Sequence, residues 1–221
     1  MKSLLLISLI TITISLSLKG IDVSKYQGDI DWRKVKDSGI KFAIIRAGYG
    51  KEVYQKDPKF DRNYNNAKAV GMPIGVYWYS YAATIEEAEQ EAKACLENIK
   101  GRQYEWPIYY DIEEQKILAK GKDFVSSIAK KFCRYLEGQK YFCGLYASAN
   151  PLNNVFDDEC KTQFAIWVAH YNVDHPGYHG SWGIWQYSSK GSVSGISGNV
   201  DLDEAVIDYE PIIKNAHLNG Y

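Results

Sequence analysis

No Cys-x-x-Cys pair, no Asn-x-Ser/Thr sequon, no Gly-x-Gly-x-x-Gly turn, no phosphate-binding loop and no block of like charge occurs in these 221 residues. Each absence removes a class of function. Without paired Cys-x-x-Cys the cysteines do not read as a zinc ribbon, and without a glycine-rich turn after a strand no nucleotide phosphate is cradled. Without a sequon, N-linked glycans have no acceptor. A net charge of −1, from 26 basic and 27 acidic residues, gives no electrostatic footprint for nucleic acid and little bulk attraction to an anionic cell wall. There is no repeat period and no Gly/Ser- or Pro-rich linker, so one domain is expected. His170, His175 and His179 are broken from any helical i, i+4 arrangement by Pro176 and read as a surface loop, so neither a metal nor another cofactor is expected.

Long apolar runs are equally scarce. The one present spans residues 4–18, follows Lys2 and ends near the small-x-small triplet Ser15-Leu16-Ser17. That is the form of a secretory signal peptide over residues 1–17. The mature domain, residues 18–221, is then exported, to the cell exterior or to a lysosome-like vacuole, with no membrane insertion once the leader is gone. A monomer is expected. Four cysteines in an exported chain favour two disulfides, with three connectivities open.

Runs rich in Val, Ile, Tyr and Trp recur at residues 21–24, 42–47, 73–81, 106–112, 143–148, 164–171, 183–188 and 200–206, and read as strands. Helical patterns fall at residues 31–38, 58–70, 84–99, 122–137 and 151–159. Thr84 with Glu87 forms a capping box, and Gly71, Gly101 and Gly138 stand where helix C-caps belong. Strand and helix in alternation imply parallel strands joined by right-handed crossovers. Residues 172–182 and 189–199 are too rich in Gly, Pro and Ser for helices. The fold class expected is α/β, an irregular TIM-like (β/α)5(β)3 barrel, with at least one late strand antiparallel. On that barrel all four cysteines lie toward the non-catalytic face, which favours Cys95 with Cys133 and Cys143 with Cys160.

Acids stand at strand ends. Asp22 closes the first strand, Asp111 with Glu113 the fourth, and Asp201 opens the eighth. Side chains two apart on a strand share a face, so Asp111 and Glu113 are expected together and Glu114 on the opposite one. Two close carboxylates disfavour joint ionisation. Glu113 is the candidate proton donor, and Asp111 its charged partner, as nucleophile or as the group that orients a 2-acetamido substituent. Flat rings suit the apolar faces of pyranose sugars. Among the many aromatic residues near the strand ends, Tyr79, Tyr110 and Trp185, with Gln186, are the candidates for the groove.

These residues together resemble glycoside hydrolase family 25, the lysozymes. Gly20-Ile21-Asp22-Val23-Ser24 with Gln27-Gly28 is similar to the family's opening motif. Tyr110-Asp111-Ile112-Glu113 is similar to its D-x-E, Ile166-Trp167-Val168-Ala169 to its sixth strand, Trp185-Gln186-Tyr187 to its seventh and Val200-Asp201-Leu202 to its last. Trp78 departs from the pattern, standing where many members have His. The resemblance implies hydrolysis of the β-1,4 bond between N-acetylmuramic acid and N-acetylglucosamine in bacterial peptidoglycan. It also implies Glu113 as the acid, Asp111 as nucleophile or amide stabiliser, and Asp22 and Asp201 as flanking acids. A chitinase-like hydrolase shares the D-x-E, but the longer acidic run such enzymes carry before it is absent here, and a non-catalytic peptidoglycan- or chitin-binding module is the alternative from a different class.

Overall fold

The computed structural model describes residues 17–221. All of the expected leader but Ser17 therefore lies outside the described residues. Eight strands close a barrel in sequence order: β1 (Leu18–Val23), β2 (Phe42–Tyr49), β3 (Ile74–Tyr79), β4 (Ile108–Asp111), β5 (Cys143–Ser148), β6 (Ala165–Ala169), β7 (Ile184–Gly191) and β8 (Val200–Ala205). The first seven run parallel, whereas β8 is antiparallel to both β7 and β1.

The returns between the early strands are helical: α1 (Trp32–Asp37), α2 (Phe60–Ala69), α3 (Ile85–Ile99), α4 (Gln115–Leu118), α5 (Lys122–Gly138), α6 (Ala149–Asn154) and α7 (Asp158–Gln163). Thr84 opens α3 by accepting the Glu87 amide at 3.2 Å. The helix expected over residues 151–159 is two helices, because Asp157 starts a new one by accepting the Cys160 amide at 2.9 Å. Gly138 is the last residue of α5 rather than its cap, and Lys140 takes the left-handed turn at φ 64°. No helix separates β6, β7 and β8, but the chain ends in α8 (Tyr209–Asn215), which sequence patterning did not foresee. Among the described residues no helix is long and apolar enough to cross a membrane.

Strand alternation divides the core in two. Phe42, Ile44, Trp106, Tyr109, Trp167, Ile184 and Ala205 fill the lumen, with Tyr209 and Ile213 of α8 closing the floor. Ala43, Ile45, Val76, Ile108, Tyr110, Leu145 and Val168 point outward and pack on helix residues such as Ala88, Ala92, Ile128 and Phe132. The floor is tight. Phe42 stacks on Trp106 with centroids 3.8 Å apart, and a Cβ on Gly20, across from Phe42, would lie 2.2 Å from that ring.

The cysteines pair differently from expectation. Cys133, late in α5, is bonded to Cys143, first in β5, with Cα atoms 5.4 Å apart. Cys95 and Cys160 are buried free thiols. The short return from α5 into β5 brings Cys133 to Cys143. Cys95 stays inside the helix layer and the Cys160 Sγ faces the Ser126 carbonyl at 3.6 Å. Burial pushes the Cys160 thiol up to about 12.

Candidate active site

The mouth of the barrel holds a cavity of about 570 Å³, and four carboxyl groups from distant parts of the chain meet in its lining: Asp22, Asp111, Glu113 and Asp201. Asp22 is next to last in β1 and Asp111 last in β4. Asp201 stands at the start of its strand, which in an all-parallel barrel would put it on the opposite end. The antiparallel direction of β8 resolves this, pairing Asp201 with Asp22 in register. Glu113 lies beyond the end of β4, so its meeting with Asp111 comes from the loop that follows rather than from strand alternation.

Hydrogen bonding separates these acids. Asp22 accepts the Gln186 amide Nε2 at 2.6 Å, while Gln186 Oε1 accepts the hydroxyls of Tyr146, at 2.8 Å, and Tyr171. Behind it, the wholly buried Asp203 accepts Trp167 Nε1 at 2.8 Å through Oδ1, and its Oδ2 has no partner. The Asp111 carboxyl is only 3% exposed, and its Oδ1 is likewise without a partner. A buried carboxylate without donors is disfavoured against its neutral acid. Burial accordingly holds the Asp111 pKa well above the usual range, the Glu113 charge raises it further, and the Arg46 guanidinium opposes both. Asp22 is raised well above its usual value by burial and then by the charges of Asp203 and Asp201, against the Gln186 bond. Glu113 is raised by removal from water, with Tyr79 lowering it and Glu114 and Asp201 raising it.

Of the groove candidates, Tyr79 and Gln186 line the cavity. Tyr110 and Trp185 do not. Tyr110 points into the helix layer, stacks on Phe132 at 3.9 Å and donates its hydroxyl proton to Glu91 Oε2 at 2.6 Å. Trp185 packs on the outer core and donates Nε1–H to the His170 carbonyl at 2.9 Å. Each is the chain neighbour of an inward residue, Asp111 or Gln186, and adjacent strand residues face opposite sides. Trp78 is fully buried on that same outer side, its Nε1 donating to the Gly50 carbonyl at 2.9 Å, so its departure from the family pattern does not touch the cavity. Glu114 is not turned away from the cleft: the Tyr79 hydroxyl donates to its Oε1 at 2.8 Å.

Sequence reading missed the basic side of the cavity. Arg46 of β2 lines the cavity and is gripped by the buried Asp57, with Nε and Nη2 each 2.7 Å from Oδ2. Tyr77, Tyr146, Trp167 and Tyr171 add to the aromatic lining. Strict alternation from Asp22, Asp111 and Gln186 across the paired strands would have found Arg46, Tyr77, Tyr146 and Trp167. Nothing in local spacing announces Asp57 as the partner of Arg46. Among the described residues no group of three or more His, Cys, Asp or Glu forms a metal site.

Comparison with known proteins adds three kinds of likeness. The model of the family "Glycosyl hydrolases family 25" matches residues 21–196. The chain is 33% identical over 187 residues to an autolytic lysozyme of Clostridium acetobutylicum, covering 85% of this chain and 55% of that protein, so it spans about half that relative's length. It superposes on the crystal structure of a bacterial lysozyme from Streptomyces coelicolor with a TM-score of 0.76 at 27% identity, over 90% of this chain and 96% of the other. It also superposes on the modular autolysin LytC of Streptococcus pneumoniae in complex with a synthetic peptidoglycan ligand. There the TM-score is 0.74 at 29% identity, over 85% of this chain and 46% of the other.

Proposed function

Because this chain belongs to glycosyl hydrolases family 25, we propose that it is an exported, monomeric muramidase. Its reaction is hydrolysis of the β-1,4 bond between N-acetylmuramic acid and N-acetylglucosamine in bacterial peptidoglycan. The observation that carries this reading is the convergence of Asp22, Asp111, Glu113 and Asp201 on one aromatic-lined cavity. A glycosidic oxygen needs a proton as it departs, and the forming cation needs negative charge beside it.

Glu113 delivers the proton, since it is the more open of the D-x-E pair. In the free protein burial favours the proton on Asp111. A bound sugar changes that ranking. The N–H of its 2-acetamido group donates to the Asp111 carboxyl oxygen that faces the cavity, which favours the ionised Asp111, and the proton then resides on Glu113. Asp111 thereby orients the acetamido carbonyl toward the anomeric carbon. Asp22, held by Gln186, and Asp201 flank the same sugar. Acid catalysis of this kind is worth about 10²- to 10⁴-fold in rate.

Mass spectrometry of the products from purified peptidoglycan tests the reaction. Reducing N-acetylmuramic acid ends are expected. Reducing N-acetylglucosamine ends, peptide fragments or no release overturn it, the last in favour of a non-catalytic binding module.

A further inference from the structure

The cavity carries charge of both signs. Its acids come from β1, β4, the loop after β4 and β8, while two basic side chains, Lys25 just past β1 and Arg46 on β2, line it along the rim between Asp22 and Asp111. One buried residue organises both. Asp57, 1% exposed, takes the Arg46 guanidinium on Oδ2, and the same oxygen accepts the Lys25 backbone N–H at 3.1 Å. Both cations pack on the Tyr26 ring, with the Arg46 Cζ 5.1 Å and the Lys25 Nζ 5.2 Å from its centroid. Arg46 has Nη1 left over from its grip on Asp57, and the Lys25 side chain is exposed.

A neutral glycan gains little from such a wall, and acid catalysis does not use it. Muramic acid differs from N-acetylglucosamine by a lactyl arm on C3 that ends in a carboxyl group, and the peptide stem attached there carries carboxylates of its own. A carboxylate in this cavity is repelled by Asp22, Asp111, Glu113 and Asp201 and attracted to Lys25 and Arg46. We infer that Lys25 and Arg46 form an anion-recognising wall that takes a carboxylate of the C3 arm of muramic acid and so fixes which way the glycan lies across the acids. This rests on the muramidase reading and assigns that site its means of telling a muramyl sugar from a plain N-acetylglucosamine.

The test measures binding in Glu113→Gln protein, which holds glycan without cleaving it. Three probes are compared by calorimetry: a muramyl tetrasaccharide with free lactyl carboxylates, the same compound with those groups converted to methylamides, and the compound bearing peptide stems. Lys25→Gln leaves the backbone bond to Asp57 in place, so its fold is preserved. It is expected to weaken binding of the free-carboxylate probe about 5-fold, in the upper range for a solvent-accessible ion pair, and to leave the methylamide probe unchanged. An equal loss with the stem-bearing probe assigns the contact to stem carboxylates as well, and no loss there confines it to the lactyl group. Arg46→Lys, which keeps a charge opposite Asp57, should retain the preference for the free carboxylate. Equal weakening of the charged and methylamide probes, or weakening of neither, overturns the inference. Should the unsubstituted protein release no muramic acid ends, the muramidase reading falls separately.

Discussion

Glu91 and Asp111 are buried acids on opposite sides of one strand. Glu91, on α3, faces the outer side of β4, and Asp111 faces the lumen. Glu91 is 1% exposed and Asp111 3%. Their surroundings differ in donors. Glu91 accepts the Tyr81 amide at 2.8 Å and the Tyr110 hydroxyl at 2.6 Å, and that hydroxyl in turn accepts one from Ser80 at 2.8 Å. These bonds oppose the upward push of burial and leave the Glu91 pKa at about 7. Asp111 has no donor on Oδ1, only the charge of Arg46 opposing burial and the Glu113 charge, and is raised well above its usual value. A raised pKa therefore does not by itself mark a catalytic group. The outer acid is supplied with partners and ties the loop bearing Tyr81 to α3, whereas the inner one keeps an oxygen without a donor.

The largest expected difference between the two sides is catalytic. Glu113→Gln should lower kcat by about 10²- to 10⁴-fold with little change in KM, since the amide keeps the shape but carries no transferable proton. Glu114→Gln, which removes only the charge beside the Tyr79 hydroxyl, should lower kcat by less than ~10-fold. Steady-state rates on soluble muramyl oligosaccharides compare the two, and a reversed order would move the acid to the other residue.

On the outer side the effect should be on stability. Tyr110→Phe deletes one buried donor and leaves Glu91 short of a partner, at about 1–3 kcal/mol, while kcat of the folded enzyme stays put. Tyr146→Phe removes an inward donor to Gln186, which holds Asp22, and should reduce kcat as well. Urea unfolding and turnover, measured on both variants, separate the roles. If both change turnover alike, the division of strand faces by role is wrong.

The pH dependence of Glu91 gives a smaller signal. Its folded pKa, about 7, exceeds the ordinary carboxyl value of about 4.3, so its contribution is fully present below pH ~4 and lost as pH rises through 7. Wild-type stability relative to Glu91→Gln should fall across that window. A flat difference would show that Glu91 does not titrate there. Smallest is a count without an energy. Denatured, unreduced protein should show two reactive thiols, from Cys95 and Cys160, and native protein almost none. Four or none in the denatured protein would contradict the Cys133–Cys143 pairing.

All eight strands were legible in the sequence because β-branched and aromatic runs bounded by Gly and Pro are local signals. Facing was legible too, had it been applied strictly: Tyr110 cannot share a side with Asp111, nor Trp185 with Gln186. What local patterning could not supply was pairing across distance. The place of Asp201 depends on β8 running against its neighbours, the basic wall on Asp57 reaching back to β2, and the disulfide on how α5 returns into β5. The loop that carries Glu113 and Glu114 past the end of β4 breaks the period-two rule at the proposed proton donor.

The claim that the lumen acids are held ready for a substrate at a cost in stability is tested most directly with Asp111→Asn. Equilibrium unfolding of this variant and of wild type is measured at pH 3 and at pH 7. The folded Asp111 pKa is raised, so wild type loses stability as pH climbs from about 4 toward that value, while asparagine does not titrate. The account predicts that the variant gains on wild type between pH 3 and pH 7 and is the more stable protein at pH 7, though its turnover is lost. A variant that is less stable than wild type at pH 7 by as much as at pH 3 would contradict it.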